Sequence, residues 1–288
     1  MHNEILVSGQ RLHELIQGGQ AVAVDCRFDL TNADKGRADW LSGHIPGAGY
    51  AHLDDDLAAA INAESGRHPL PEATAFAGFL ASLGWSPGKL IVAYDGGSNA
   101  ISGRLWWLMR YFGHSAALLD GGLAAWIAAG FALESGPLQV QAATVTELHG
   151  DDRMIVSSSQ IQAGIGAGRL TVLDARAPER FSGQVEALDS RAGHIPGSLN
   201  RPLQLNLTES GCFKLPALLR TEFAALLGEL EPARIAHSCG SGVTACHNYF
   251  AMELAGMNPS LLYPGSWSEW IRDPSRPIET EGHSNTGT

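Results

Sequence analysis

The hexapeptide Gly43-His44-Ile45-Pro46-Gly47-Ala48 recurs as Gly193-His194-Ile195-Pro196-Gly197-Ser198, 150 residues further along the chain. Three more pairs of segments repeat in the same order: 21–27 with 170–176, 90–95 with 234–239, and 118–126 with 262–270. Four ordered matches are improbable by chance, and the small drift in their spacing fits insertions and deletions in loops. The sequence therefore predicts a tandem duplication of a domain of about 130–150 residues, which is near the usual domain size.

Each repeat alternates short apolar runs with amphipathic stretches. The runs 21–24, 90–94, 170–173 and 234–237 indicate buried parallel strands, and the stretches 104–112 and 245–254 indicate helices. This alternation predicts an α/β fold with two tandem domains, each a mainly parallel sheet flanked by helices. We predict an N-terminal domain at 1–137, a linker at 138–155, a C-terminal domain at 156–274 and a disordered tail at 275–288.

Composition limits the classes of function. The chain has 288 residues, 44% of them apolar, and a formal net charge of -11, so neither nucleic acid nor an anionic membrane is expected as a partner. No apolar run reaches 18 residues, and the first residues lack a basic region followed by an apolar stretch, so neither a membrane span nor a secretory signal is expected. Four cysteines are too few for a disulfide scaffold and lack zinc-ligand spacing, which favours a reducing, cytoplasmic setting.

Cys239 is the strongest candidate for chemistry. In open α/β sheets, ligands gather where strands end and loops lead into helices, and Cys239 lies at such a place, between an apolar run and a helix expected from near Val243. Gly240 and Gly242 allow the loop to curl so that backbone N–H groups point at the sulfur, and the helix N-terminus adds positive potential. We therefore predict a lowered pKa for the Cys239 thiol and a nucleophilic thiolate. The alternative is a small, buried, apolar cysteine, which is the commoner role of a cytosolic cysteine.

The matching position in the first repeat is Asp95, which cannot carry sulfur. The N-terminal domain is therefore expected to be catalytically inactive and to serve the structure or one wall of the site. Phosphatase chemistry is also disfavoured, because a cysteine phosphatase needs an arginine six residues after its nucleophile and Ala245 stands there.

The paired Gly-His-Ile-Pro-Gly blocks, the strand–Cys239–loop–helix unit and the segment Gly265-Ser-Trp-Ser-Glu-Trp270 resemble two-domain rhodanese-type sulfurtransferases. The resemblance covers roughly 8–270 and implies an inactive N-terminal and a catalytic C-terminal rhodanese-like domain. The loop from Cys239 is similar to the form in 3-mercaptopyruvate sulfurtransferases. The thiosulfate-using branch places basic residues just after the cysteine, where this chain has Gly240 and Ser241.

The resemblance implies a small 2-oxo acid that bears a thiol, and therefore a carboxylate-binding residue. Arg180 matches the first substrate arginine of the family. The second family arginine lies nine residues further on, where this chain has Asp189, and Arg191 is the nearest substitute. Arg176 and Arg27 each follow an aspartate in the same way and are assigned to the fold. The loop residues expected to contact the substrate are Gly240, Gly242, Val243 and Thr244.

The resemblance also implies a Ser-His-Asp relay across the domain interface, formed by Ser241, His68 and Asp54. Such a relay could polarise Ser241 toward the substrate carbonyl or thiol. Asp55 or Asp56 could take the place of Asp54, and the alternatives are a surface histidine and a solvated acidic run. Structural rather than catalytic roles are expected for His44, His194, Trp267, Trp270 and Cys246, and no site is expected at Cys26 or Cys212.

The predicted activity is sulfur transfer from 3-mercaptopyruvate through a Cys239 persulfide, with release of pyruvate. The expected acceptor is a thiol, such as thioredoxin or a small thiol, or cyanide, and no metal or organic cofactor is needed. One alternative is a thiosulfate:cyanide sulfurtransferase. Another is a non-catalytic persulfide carrier or thiol sensor, against which Arg180 argues because a carrier has no use for a carboxylate-binding arginine.

Overall fold

The computed structural model of the chain describes residues 4–145 and 147–280. Its first half contains one parallel sheet in the strand order β1-β5-β4-β2-β3. The strands are β1 (Leu6–Val7), β2 (Ala21–Asp25), β3 (Gly49–Tyr50), β4 (Leu90–Tyr94) and β5 (Ala116–Leu119). The helices are α1 (Gly9–Gln17), α2 (Asp34–Ser42), α3 (Ala73–Ser82), α4 (Ser102–Tyr111) and α5 (Gly122–Ala128).

The second half repeats this architecture with a parallel sheet in the order β7-β6-β8-β9. Its strands are β6 (Thr171–Asp174), β7 (Leu199–Asn200), β8 (Ile235–Ser238) and β9 (Leu261–Leu262). Its helices are α6 (Ser158–Gly166), α7 (Pro178–Phe181), α8 (Pro216–Leu227), α9 (Ala245–Leu254) and α10 (Ser266–Trp270). Ile155 forms a parallel bridge to Leu262 of β9, at the edge of the second sheet. It occupies the position that β1 has beside β5 in the first sheet. The two sheets therefore share one strand order, and the predicted fold class is confirmed.

The central strands follow the apolar runs of the sequence to within one residue. All five residues of β4 are buried, because helices cover both faces of a parallel sheet. Helix α9 has the predicted limits, and α4 begins two residues earlier than predicted, at Ser102. Within the described part of the chain, no helix is both long enough and apolar enough to cross a membrane.

The repeated Gly-His-Ile-Pro-Gly blocks close their domains in the same way. His44 and His194 are buried, and each ring Nδ1 contacts a backbone oxygen, of Trp40 at 2.7 Å and of Phe181 at 2.8 Å. Each histidine also pairs through its backbone with a glutamate at the end of its domain, Glu134 or Glu279. Their arrangement agrees with the structural role expected for both histidines.

The predicted disordered tail at 275–288 begins too early. His194 N–H donates to the Glu279 carbonyl at 2.8 Å, and the Trp270 indole donates to the Pro277 carbonyl at 2.9 Å. Residues 275–280 are therefore attached to the C-terminal domain. The pairing of Glu279 with His194 repeats that of Glu134 with His44 in the first domain. The remainder of the predicted tail, 281–288, lies outside the described residues.

The two domains pack through α4 and α9, the helices that follow β4 and β8. One apolar cluster contains buried side chains from both domains, and the Trp106 and Phe250 rings meet edge to face at 4.8 Å. At the rim of this contact, Arg110 pairs with Glu253 at 3.0 Å. This packing fixes the N-terminal domain against the helix that directly follows the Cys239 loop.

Candidate active site

The loop after β8 holds the Cys239 sulfur at the carboxyl edge of the second sheet. The Gly242 N–H donates to Cys239 Sγ at 3.2 Å, and the Cys239 N–H donates to Ser266 Oγ at 3.1 Å. Gly242 has φ +78°, and a Cβ atom there would collide with the carbonyl oxygen of Pro264. Glycine is therefore required at 242, since side chains disfavour that backbone conformation and the adjoining carbonyl leaves no room.

Cys239 lines a cavity of about 220 Å³ between the two domains. The other loop residues along it are Gly240, Ser241, Val243 and Thr244, and further walls come from Arg67, His68, Arg176 and Arg180. Gly242 was predicted to contact substrate, but it is not part of this wall, and its N–H donates to the Cys239 sulfur. The N-terminal domain thus contributes side chains directly to the surroundings of Cys239.

Ser241, His68 and Asp54 form a hydrogen-bonded chain across the domain interface. Ser241 Oγ lies 2.7 Å from His68 Nδ1, and Asp54 Oδ1 lies 3.0 Å from His68 Nε2. The other two candidate carboxylates point elsewhere: Asp55 pairs with His52 Nδ1 at 3.3 Å, and Asp56 accepts from the His52 N–H at 2.7 Å. Of the three acidic residues, Asp54 is therefore the one that contacts His68.

The protonation of His68 follows from its surroundings. Burial, with smaller contributions from the charges of Arg104 and Arg67, lowers the pKa of His68 to about 4 against the opposing effect of Asp54. The imidazole is therefore neutral at neutral pH and carries one N–H. Because a carboxylate accepts only, we assign that hydrogen to Nε2, which leaves Nδ1 to accept the Ser241 hydroxyl hydrogen.

Arg180 is held by two carboxylates of its own domain. Its Nη2 donates to Glu186 Oε1 at 2.8 Å and to Asp189 Oδ2 at 3.1 Å. Asp189 also pairs with Arg67 of the N-terminal domain. The Asp189 carboxylate thus joins two arginines from different domains at the wall of the cavity.

Each of these two arginines keeps one terminal guanidinium nitrogen without a hydrogen bond in the part of the chain that the structure describes. These nitrogens, Arg67 Nη2 and Arg180 Nη1, lie 2.8 Å and 3.6 Å from the point where a Cβ atom on Gly240 would be. Arg67 was not among the site residues predicted from the sequence. Asp189, an acidic residue at the position where the family has a substrate-binding arginine, could have indicated that another arginine pairs with it.

The position of Arg191 does not support its assignment to the substrate, because Arg191 does not line the cavity. Its carbonyl accepts from the indole of Trp267 at 2.9 Å, and its Nη1 is buried without a hydrogen-bond partner among the described residues. Arg176 pairs with Asp174 at 2.8 Å, as its counterpart in the first repeat does with Asp25, but it also forms part of the cavity wall.

In the first repeat, the carboxylate of Asp95 occupies the loop that corresponds to the Cys239 loop. It accepts hydrogen bonds from four backbone N–H groups, those of Gly97, Asn99, Ile101 and Ser102, at 2.8–3.4 Å. The loop therefore contains its own anion. Of the other cysteines, Cys246 is fully buried and burial raises its pKa to about 12, whereas Cys26 is buried and Cys212 is half-buried.

Comparisons with known proteins identify the family of the chain. A model of the rhodanese-like domain matches residues 8–129 and again 157–273. A Pseudomonas aeruginosa protein described as a "Probable 3-mercaptopyruvate sulfurtransferase" is 41% identical over 283 residues, covering 97% of this chain and 99% of the relative. The thiosulfate sulfurtransferase of Bos taurus is 31% identical over 276 residues, covering 92% of this chain and 91% of the relative.

Among solved structures, SseA of Escherichia coli, reported with the fold and mechanism of 3-mercaptopyruvate sulfotransferases, superposes with a TM-score of 0.80. It is 29% identical, and the match covers 92% of this chain and 100% of that chain. The strand order, the repeated domain and these full-length similarities agree, and the chain belongs to the family of proteins built from rhodanese-like domains.

Proposed function

We propose that this protein is a 3-mercaptopyruvate sulfurtransferase, with an N-terminal domain at 1–137 that lacks a nucleophile and a catalytic C-terminal domain at 156–274. The observation that carries the proposal is the convergence of Arg67 Nη2 and Arg180 Nη1 beside Gly240, next to the Cys239 loop. Two guanidinium groups with open N–H positions suit a carboxylate. The substrate would then carry its carboxylate at the arginines and its sulfur at Cys239.

In the first half-reaction, the Cys239 thiolate attacks the sulfur of 3-mercaptopyruvate. A sulfur–sulfur bond forms, the carbon–sulfur bond breaks, and its electron pair remains on carbon as the enolate of pyruvate. The proton of the substrate thiol passes to Ser241 Oγ while the Ser241 hydroxyl hydrogen moves to His68 Nδ1. Return of a proton to the enolate carbon releases pyruvate and leaves a Cys239 persulfide.

Asp54 supports this proton transfer by accepting the His68 Nε2–H, which keeps Nδ1 directed at Ser241. In the second half-reaction, a thiolate acceptor or cyanide attacks the outer sulfur. The sulfur–sulfur bond breaks, its electrons return to Cys239, and a persulfide of the acceptor or thiocyanate leaves. We propose thioredoxin or a small thiol as the acceptor class, with ping-pong kinetics.

A thiosulfate sulfurtransferase is the second candidate, since a relative bears that name and two guanidinium groups would also suit a dianion. The test is the ratio of kcat/KM for 3-mercaptopyruvate to kcat/KM for thiosulfate, with cyanide as the acceptor in both assays. We expect the ratio to favour 3-mercaptopyruvate. A ratio that favours thiosulfate would identify thiosulfate, rather than 3-mercaptopyruvate, as the sulfur donor. Absence of turnover with both donors would support a carrier or sensor.

A further inference from the structure

Arg104 of α4 is a fully buried arginine at the interface between the domains. Its guanidinium donates to backbone carbonyl oxygens at 3.1–3.3 Å, those of Leu57, His68, Pro69 and Gly242, and also lies against the Cys246 side chain. Gly242 and Cys246 belong to the C-terminal domain and the other three residues to the N-terminal domain. Arg104 therefore connects the segment that carries His68 to the loop that carries Cys239.

The surroundings of Arg104 differ from those of the other buried arginines. Arg176 pairs with Asp174 at 2.8 Å and Arg201 pairs with Glu222 at 2.7 Å. Among the residues that the structure describes, no carboxylate lies within salt-bridge distance of Arg104. A buried charge with neutral partners alone is costly, so a nearby anion would stabilise it.

Cys246 and Cys239 are two ionisable side chains that interact with Arg104. Burial lowers the pKa of Arg104, and interactions with Cys246 and Cys239 oppose that effect. Cys246 remains a thiol at neutral pH, because burial raises its pKa to about 12. Cys239, the cavity-lining sulfur, is left as the group that can supply the balancing negative charge.

Hydrogen bonds connect the cation to this sulfur through one residue. Arg104 Nη1 donates to the Gly242 carbonyl at 3.1 Å, and the Cys246 thiol donates to the same oxygen at 3.3 Å. The N–H of Gly242 donates to Cys239 Sγ at 3.2 Å. Arg104 thus acts on Cys239 in two ways, through its charge and by holding the residue whose N–H faces the sulfur.

We propose that Arg104 is the buried counter-charge of the sulfur anion on Cys239, for the thiolate before sulfur transfer and for the persulfide after it. The persulfide part rests on the proposed function, whereas the thiolate part concerns the free protein. Arg104 is a positioning residue, since it acts through Gly242 and through its field. An N-terminal domain without a nucleophile would then supply a charge that the catalytic domain needs.

Other charged groups face Cys239 from the surrounding elements. Arg176, after β6, pairs with Asp174, and Arg67 and Arg180 both pair with Asp189, so carboxylates offset part of each positive field. His68 is neutral at neutral pH because its pKa is about 4. Arg104 differs from all of these in having no carboxylate to offset its charge among the described residues.

The test measures the rate of Cys239 alkylation by iodoacetamide against pH, in the full chain with Cys212→Ser to remove the half-buried thiol. The midpoint of this profile reports the formation of the thiolate and needs no sulfur donor. Arg104→Gln and Arg104→Met should each raise the midpoint by about one pH unit or more, which is a tenfold loss of thiolate below the midpoint. Arg104→Gln keeps an amide that can donate to the buried carbonyl oxygens, and Arg104→Met removes both the charge and those hydrogen bonds.

Arg110→Gln is the matched control, because Arg110 lies on the same helix and also joins the domains, through Glu253 at 3.0 Å. Its midpoint should equal that of the wild type, and Arg104→Lys should fall between wild type and Arg104→Gln. A folded Arg104→Met protein with the wild-type midpoint would overturn the proposal. That result would not affect the proposed sulfurtransferase activity. Conversely, a protein that failed to turn over 3-mercaptopyruvate could still show the predicted shift in the alkylation midpoint.

Discussion

His68 Nδ1 lies 2.7 Å from Ser241 Oγ, and this hydrogen bond joins a loop of the N-terminal domain to the Cys239 loop of the C-terminal domain. A second connection lies beside it, since the Arg67 backbone N–H donates to Ser268 Oγ at 3.0 Å. The surroundings of Cys239 are therefore complete only when both domains are docked. This relationship gives the N-terminal domain a part in the chemistry although Asp95 replaces the cysteine there.

The contact between Asp54 and His68 predicts a large effect of Asp54→Asn. An amide can donate to Nε2, which favours the tautomer with hydrogen on Nδ1 and removes the acceptor for the Ser241 hydroxyl. We expect kcat with 3-mercaptopyruvate to fall by roughly tenfold to a hundredfold. Asp55→Asn is the control and should retain wild-type kcat, because Asp55 pairs with His52. Equal activities of the two variants would remove Asp54 from the relay.

The open nitrogens of Arg67 and Arg180 predict a loss of donor affinity. Arg67→Met and Arg180→Met should each lower kcat/KM for 3-mercaptopyruvate by roughly tenfold or more, since a charge-assisted hydrogen bond contributes about 1.5–3 kcal/mol. Arg180→Lys should recover part of the loss, because lysine keeps the charge without the planar fork. Arg191→Met should have little effect. The carboxylate-binding role would be wrong if Arg180→Met matched the wild type.

The four hydrogen bonds to Asp95 predict a variant that loses stability but keeps activity. Asp95→Ala leaves four N–H groups of a partly buried loop without their acceptor, at a cost of about 2–4 kcal/mol in the free energy of unfolding. Thermal unfolding should shift to lower temperature, while turnover of the folded protein at 25 °C stays near that of the wild type. A lower kcat in fully folded Asp95→Ala protein would mean that the first-repeat loop contributes directly to the reaction.

Burial of His237 predicts a pH-dependent contribution to stability. Burial lowers the pKa of His237 from 6.5 to about 3, so between these values the unfolded chain binds more protons than the folded one. This effect destabilises the fold as pH falls below 6.5. Relative to His237→Gln, the wild type should therefore lose roughly 2 kcal/mol of unfolding free energy between pH 7 and pH 5. Chemical denaturation at both pH values measures this change, and an unchanged difference would contradict it.

Local patterns were sufficient to predict much of the fold and the position of Cys239. The runs at 90–94 and 234–237 predicted strands because parallel strands buried on both faces are continuously apolar. The contact of Asp54 with His68, by contrast, was implied by resemblance alone. Spacing could not have selected Asp54, since Asp55 and Asp56 are equally acidic and only the path of the backbone directs one of them to His68.

The features that the sequence did not reveal depend on contacts between the domains. Arg67 reads as an ordinary surface arginine until Asp189 is placed against it. Arg104 lies in an amphipathic stretch where a charged residue predicts a solvent-facing side, but backbone carbonyls of His68 and Gly242 enclose its guanidinium. The order in 275–280 arises from pairing of Glu279 with His194, which are 85 residues apart in the chain. No local pattern reports such distant contacts.

The most direct test of the central claim is the intact mass of the protein after incubation with 3-mercaptopyruvate in the absence of an acceptor, followed by peptide mapping. We predict a gain of one sulfur atom located on Cys239, release of one pyruvate per chain, and loss of the added sulfur on addition of cyanide. Cys239→Ser should show neither the mass gain nor pyruvate. An added sulfur located on Cys246, or pyruvate release that persists in Cys239→Ser, would contradict the account.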